Sequence, residues 1–297
     1  MSGAAAWSWP DRIVLREVGP RDGLQGRTPL AVDDRVALIR ALAGAGLSAI
    51  EVGAFVSPRA VPSMARTAEV IARLGPLPGV RRTVLVPNLR GAHEALAAGV
   101  EELTVTLSAS PEYGRRNIRM TLAESLQQID EVCRAAGGRA VAVDAVVSCA
   151  FGSPYDDALG VDEIAALADR LRALGCAAVT YADTTGLATP RRVRELVEAV
   201  GAGDGMHFHD SRGTALLNVF AALLLGVRRF DASIAGLGGS PFATGAAGNV
   251  ATEQVVDLCA DLGVATGVDA HALAAATRLV RRLLDHASAP EADSQPA

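Results

Sequence analysis

The chain has 297 residues, half of them apolar and only 4% aromatic, with a net charge of −5. That length accommodates one large α/β barrel or two smaller domains, with a core built from Ala, Val and Leu rather than from aromatic rings. The acidic balance argues against nucleic acid or an anionic membrane as main partner, although an anionic cofactor needs only a local patch.

No apolar run reaches bilayer-spanning length. Residues 1–10 carry no basic segment followed by an apolar stretch, which speaks against a signal peptide. Cys133, Cys149, Cys176 and Cys259 form no CxxC, and a reduced cytoplasmic setting fits them best.

Strand-like and helix-like stretches alternate along the chain. The first strand is expected over 13–18 and a helix over 33–45, capped by Asp33 or Asp34. There follow a strand over 48–53, a helix over 64–74, a strand over 82–86, a helix over 89–98 and a strand over 102–107. A helix over 121–136 opens on the capping-box pattern Thr121-Leu122-Ala123-Glu124. A strand over 140–147, a helix over 161–174 and a strand over 177–181 come next. The helix over 190–200 has proline at its start. A strand over 205–209, a helix over 215–225, a strand over 230–235 and a helix over 252–262 complete the alternation.

Eight β-then-α units in about 250 residues predict a (β/α)8 TIM barrel. An extra C-terminal helix over 270–285 is expected on its outside. Residues 1–11 read as an N-terminal extension, 12–286 as a single barrel domain and 287–297 as a disordered tail. A doubly wound open sheet is disfavoured, since no GxGxxG turn follows the first strand.

A barrel places its active site where strands end and βα loops begin. Only five histidines exist, and two of them stand at alternate positions, His207 and His209. On a strand both imidazoles leave one face. Joined by Asp22, they make a mixed N/O set that suits Mg²⁺, Mn²⁺, Zn²⁺ or non-haem iron. Arg16, Glu17, Arg21, Glu51 and Asp183 fall at strand ends on the same mouth, and a glycine-rich loop runs over 236–249. Each has a plainer reading: Asp22 as a turn residue, Glu51 as an arginine's salt-bridge partner, Asp183 as a turn cap, the histidines as satisfied core side chains. Taken together, a cation and Arg21 beside a polarised carbonyl suggest enolate chemistry, with C–C bond cleavage or formation.

These residues lie in motifs that resemble one family. Glu17-Val18-Gly19-Pro20-Arg21-Asp22-Gly23-Leu24-Gln25 resembles the opening motif of 3-hydroxy-3-methylglutaryl-CoA lyases. So do Phe55-Val56-Ser57-Pro58, Val86-Pro87-Asn88, Val147-Ser148-Cys149-Ala150, His207-Phe208-His209-Asp210 and Ala235-Gly236-Leu237-Gly238-Gly239. The resemblance covers about residues 12 to 265.

The resemblance implies a lyase that cleaves a 3-hydroxyacyl-CoA to an acyl-CoA, such as acetyl-CoA, and a keto product, in a cytoplasmic homodimer of the kind used in leucine breakdown. It implies Mg²⁺ or Mn²⁺ held by Asp22, His207, His209 and Asn249. Arg21 then matches the group that stabilises the departing enolate, and Glu51 and Asp183 match acidic residues that support the site. Gln25 and Asn88 are expected to meet substrate, and Arg115, Arg116 and Asn117 are candidates for the CoA phosphates.

Two departures from the family pattern stand out. Ser240 occupies the place of a catalytic loop cysteine, and a hydroxyl is a far weaker acid than a thiol, so proton transfer would pass to His207 or through water. Asp144 and Val146 stand where the family usually has Arg and Tyr, which help hold the substrate's distal acyl end. Read alone, that charge inversion predicts repulsion of a distal carboxylate and a shifted acyl specificity. Two alternatives remain at this level: a condensing enzyme of the isopropylmalate or citramalate synthase kind, and a catalytically impaired barrel that binds an acyl-CoA.

Overall fold

The computed structural model describes residues 7–239 and 248–288. Eight parallel strands close into a barrel in simple sequential order. They are β1 (Val14–Glu17), β2 (Ala49–Ala54), β3 (Arg81–Leu85), β4 (Glu102–Ser108), β5 (Ala142–Ser148), β6 (Ala178–Asp183), β7 (Gly205–Phe208) and β8 (Arg229–Ala232). Closure is made by β1 against β8, where Arg16 pairs with Asp231.

Ten helices surround the barrel among the described residues: α1 (Val32–Gly44), α2 (Thr67–Leu74), α3 (Leu89–Ala98), α4 (Pro111–Asn117), α5 (Leu122–Gly137), α6 (Val161–Ala173), α7 (Pro190–Val200), α8 (Ala215–Leu224), α9 (Thr252–Asp261) and α10 (Ala270–Ser288). The main core lies between strands and helices and is aliphatic, with Leu38, Ile39, Ile50, Leu103, Val179 and Leu223 fully buried. None of the described helices is long and apolar enough to cross a membrane.

Local chemistry explains where several helices start. The capping box at Thr121 forms, with its hydroxyl accepting from the Glu124 N–H and the Glu124 carboxylate accepting from the Thr121 N–H. Thr189 caps α7 ahead of Pro190. Asp33 and Asp34 do not cap α1; the capping position is Ala31, and both aspartates sit in the first turn, where their charges face the helix's positive end.

Other boundaries differ from expectation. The segment 64–66 is not part of α2, because Arg66 adopts a left-handed conformation and a short 3-10 turn over Pro62–Met64 precedes it. Helix α4 was not anticipated; it is seven residues long, too short for a periodic signal. Residues 287 and 288 continue α10 rather than beginning a tail, and the remainder of the expected tail, 289–297, lies outside the described residues. At the other end, Trp9 Nε1 donates to the Leu262 carbonyl at 2.9 Å, so part of the expected N-terminal extension is docked.

The barrel's inner face is unusual. Such interiors are mostly filled by branched aliphatic side chains. Here Arg16, Thr104, Asp144, Thr180 and Asp231 are buried, and four of them are joined by hydrogen bonds across the barrel.

Candidate active site

The motif over 19–23 folds as a single π-helical turn directly after β1, not as a β-turn. Its backbone is tied to Val18, whose carbonyl accepts from the N–H groups of Arg21, Asp22 and Gly23. Glu17 holds the turn from below. Its buried carboxylate accepts from the Gly19 N–H at 2.7 Å, the Ile234 N–H at 2.9 Å and the Thr252 hydroxyl at 2.6 Å. One side chain therefore binds the turn after β1 to the segment after β8. Burial pushes its pKa up to about 7.

That turn aims Arg21 and Asp22 at the ends of β2 and β7. Arg21 Nε donates to Glu51 at 2.5 Å, and its Nη1 donates to Asp22 at 2.8 Å. Gln25 donates to the same Asp22 oxygen at 3.0 Å. The register of β2 against β3 shifts between Glu51 and Gly53, an irregularity of the kind that re-aims a side chain beside a site.

Asp22, His207 and His209 each offer a ligand atom, and these atoms lie within 4.8 Å of one another. The two imidazoles have ring centroids 5.1 Å apart, as alternate positions on one face require. His209 is the residue after β7 and pairs with Asn249 in an isolated antiparallel bridge, which brings the segment after β8 into the site.

The unpaired buried atoms describe what the cluster is built to hold. Asn249 is 3% exposed. Its Nδ2 donates to Asp22 at 2.7 Å and to the Leu237 carbonyl at 2.9 Å, while its Oδ1 has no partner. His209 Nδ1 and Glu51 Oε1 are also buried without partners. A buried amide oxygen left unpaired beside a carboxylate is costly unless a cation takes it up. A carboxylate, an amide oxygen and two imidazoles suit a hard or borderline divalent cation.

The electrostatics agree. Burial raises the Asp22 carboxyl, but the Arg21 guanidinium and the two imidazoles outweigh it and hold the group below its ordinary range. Burial and the neighbouring His207 push His209 down to about 4, so its ring is a neutral donor at physiological pH. His207 behaves oppositely: burial lowers it, yet the hydrogen bond and charge of Asp231 prevail and its pKa is raised. Asp183, at the end of β6, is raised to about 7 by burial, although it accepts from the Ala188 N–H at 2.9 Å.

Gly238 lies against this cluster at φ +123°. A Cβ there would stand 2.3 Å from Asn249 Nδ2 and 3.2 Å from Asp22 Oδ2, so the segment needs glycine to approach the site. Ser240, two residues further on, lies outside the described residues.

The remaining expectations divide. Asn88 lines a cavity of about 410 Å³ beside the ends of β2 and β3, together with Phe55, Pro58, Met64, Arg66 and Arg90. Its Oδ1 is taken by the Gly91 N–H, where it caps α3. Arg115 and Arg116 are exposed on α4 and pair with Glu112, and Arg116 also lies over the Tyr155 ring. Val146 is half-buried on the inner face of β5.

Asp144 does not face a substrate's distal end as a free charge. It is 1% exposed, two residues deeper on β5 than Val146, and its carboxylate accepts from Arg16 Nη1 at 2.6 Å with Arg229 Nη2 at 3.5 Å. Inside the barrel the inverted charge is paired with guanidinium groups from β1 and β8, while its Oδ1 is buried without a partner. A distal carboxylate would therefore meet Asp144 as a paired, buried group rather than as a free charge.

Asp231 was missed altogether. Its Oδ2 lies 3.2 Å from His207 Nδ1. The available signal was a lone carboxylate within the short strand Arg229-Phe230-Asp231-Ala232, legible only once β8 is placed beside β7 and β1.

The HMGL-like family model matches residues 12–280. The chain belongs to the HMGL-like family. A family member from Pseudomonas aeruginosa, a 3-hydroxy-3-isohexenylglutaryl-CoA/hydroxymethylglutaryl-CoA lyase, is 45% identical over 273 residues, covering 89% of this chain and 90% of that protein. The crystal structure of a hydroxymethylglutaryl-CoA lyase from Pseudomonas aeruginosa superposes with a TM-score of 0.89 at 44% identity, covering 93% of this chain and 94% of the other. A hydroxymethylglutaryl-CoA lyase from Acinetobacter baumannii, solved in complex with coenzyme A and 3-methylmalate, superposes with a TM-score of 0.87 at 36% identity, covering 97% and 98%.

Proposed function

We propose that this HMGL-like protein cleaves the C2–C3 bond of a 3-hydroxyacyl-CoA of the hydroxymethylglutaryl type, releasing acetyl-CoA and a keto product. It is a carbon–carbon lyase, as its family membership and relatives at this identity and coverage establish. The observation that carries the reading is the cluster of Asp22, His207, His209 and the unpartnered Asn249 Oδ1 at the barrel mouth, with Arg21 alongside.

Asp22, His207, His209 and Asn249 would hold Mg²⁺ or Mn²⁺. When bound, the cation supplies a Lewis acid that acidifies the substrate's 3-hydroxyl and polarises its carbonyl oxygens. Arg21, clamped by Glu51 and Asp22, presents a fixed positive charge for the thioester enolate that forms as C2–C3 breaks. The 3-hydroxyl loses its proton to a base, its oxygen forms the new carbonyl as the C2–C3 electron pair passes to the enolate, and a proton then returns to C2. Asp183, with a pKa near neutrality, is placed to hold or release one of these protons. The cavity at the ends of β2 and β3 would take the CoA chain, and Gln25, which donates to Asp22, would lie close to the acyl end. A cytoplasmic homodimer remains our reading of its setting.

With Asp144 paired to Arg16 and Arg229 rather than free, a 3-hydroxy-3-alkylglutaryl-CoA is the substrate class we favour. The test is acetyl-CoA release by purified protein with Mg²⁺ or Mn²⁺, comparing hydroxymethylglutaryl-CoA with its 3-isohexenyl counterpart. Turnover of either supports the reading. Inactivity on both, with condensation of acetyl-CoA and a 2-oxo acid, would replace it with the synthase alternative.

A further inference from the structure

Beneath the site lies a buried ion network centred on Arg16. Arg16 is 5% exposed and reaches across the barrel from β1. Its Nε and Nη2 donate to Oδ1 and Oδ2 of Asp231, both at 2.8 Å, a two-pronged grip that fixes the carboxylate plane. On its far side, Nη1 donates to Asp144 Oδ2 at 2.6 Å, which also accepts from the Thr180 hydroxyl at 2.8 Å. Glu102 stands 3.6 Å from the same nitrogen. Side chains from β4, β5, β6 and β8 thus hold one guanidinium in place.

The upper end of this network touches the site. Asp231 Oδ2, already oriented by Arg16, lies 3.2 Å from His207 Nδ1. A carboxylate there makes Nδ1 the ring's donor, and Nε2 keeps the lone pair available to the cluster with Asp22 and His209. Burying Arg16 among three carboxylates, two of which also meet Arg81 and Arg229, is a poor way to stabilise a barrel, because desolvation offsets much of the attraction and a well-packed apolar layer does as well. The network's geometry is explained by what it orients.

We propose that Arg16 and Asp231 are positioning residues for the metal centre: the Arg16–Asp231 pair, braced by Asp144 and Thr180, fixes the tautomer and ring orientation of His207. This rests on the reading of His207 as a cation ligand. Losing the pair disturbs cation binding although neither residue belongs to the candidate ligand set.

The experiment uses Asp231→Asn, nearly isosteric, and Arg16→Lys, which keeps the charge but not the fork. Nitrogen-15 NMR of histidine-labelled, metal-free protein at alkaline pH reads the His207 tautomer. Wild type shows Nδ1–H, and Asp231→Asn loses that preference. Calorimetric titration with Mn²⁺ then shows affinity weakened roughly 10–100-fold in Asp231→Asn and less in Arg16→Lys. Circular dichroism and urea midpoints check folding, and Asp231→Asn carries the test alone if Arg16→Lys does not fold. Wild-type Mn²⁺ binding with unchanged tautomer and affinity in the folded variants overturns this inference alone. A wild-type protein that binds no Mn²⁺ overturns the metal reading, and this one with it.

Discussion

Replacing Asn249 by alanine separates the site's structural role from its ligand role. Two hydrogen bonds disappear, one to the Asp22 carboxylate at 2.7 Å and one to the Leu237 carbonyl at 2.9 Å. They are worth about 1.5–3 and about 1 kcal/mol respectively. The same change removes a buried, unpartnered Oδ1, whose desolvation costs the metal-free protein about 1–3 kcal/mol. The two effects nearly offset, so metal-free stability should fall by only about 1 kcal/mol. Metal binding should suffer more. Loss of an oxygen ligand that weakens affinity about 100-fold lowers the stabilisation conferred by a fixed, saturating Mn²⁺ concentration by about 2.7 kcal/mol.

Urea unfolding with and without Mn²⁺ measures both quantities, and calorimetry gives the affinity directly. Asn249→Asp provides the converse. It sets two carboxylates about 2.7 Å apart, a repulsion of about 6 kcal/mol at an effective dielectric constant of 20, relieved by protonation or by the cation. Its metal-free form should be the less stable and its gain on adding Mn²⁺ the larger. An Asn249→Ala protein with wild-type Mn²⁺ affinity would refute the assignment of Oδ1 as a ligand.

Three further outcomes are expected. Glu17→Gln should flatten the pH dependence of stability. The wild-type carboxyl rises from 4.5 unfolded to about 7 folded, so its proton-linked contribution, about 3 kcal/mol, is fully present below pH 4.5 and lost as pH rises through 7. The variant should match wild type near pH 4.5 and exceed it at pH 8 in urea titrations; parallel curves would contradict the raised pKa. Arg21→Met should lower kcat roughly 100–1000-fold while the fold persists by circular dichroism, and an unchanged kcat would remove Arg21 from the mechanism. Gly238→Ala should push the Asn249 amide aside and weaken Mn²⁺ binding roughly tenfold or more, read by calorimetry; wild-type affinity would show that the chain after β8 yields without disturbing Asn249.

Much of this site is legible along the chain because its parts are local. The 19–23 motif and the alternate pair His207/His209 each carry their signal within a few residues, while Asn249 is implied by the family resemblance. Once eight βα units are counted, the barrel rule places all of them at one mouth. Helices with long periodic faces, such as α3 and α7, are bounded correctly for the same reason. Helix α4 and the π-helical turn are too short to have a period.

What tertiary structure alone decides is which charges meet. Asp144 read by itself is an inverted charge awaiting a substrate; inside the barrel it is the counter-ion of Arg16, 128 residues away in sequence. Asp231 read by itself is one acidic residue in a short strand; beside β7 it faces His207. The sequence determined the fold through its periodicity and the Asp22, His207 and His209 set through spacing within single segments, and its resemblance to hydroxymethylglutaryl-CoA lyases implied the reaction class and the fourth ligand, Asn249. Barrel closure decided the network beneath the cation site, because it depends on the register of β1 against β8, β5 against β6 and β8 against β7. No single segment encodes that register.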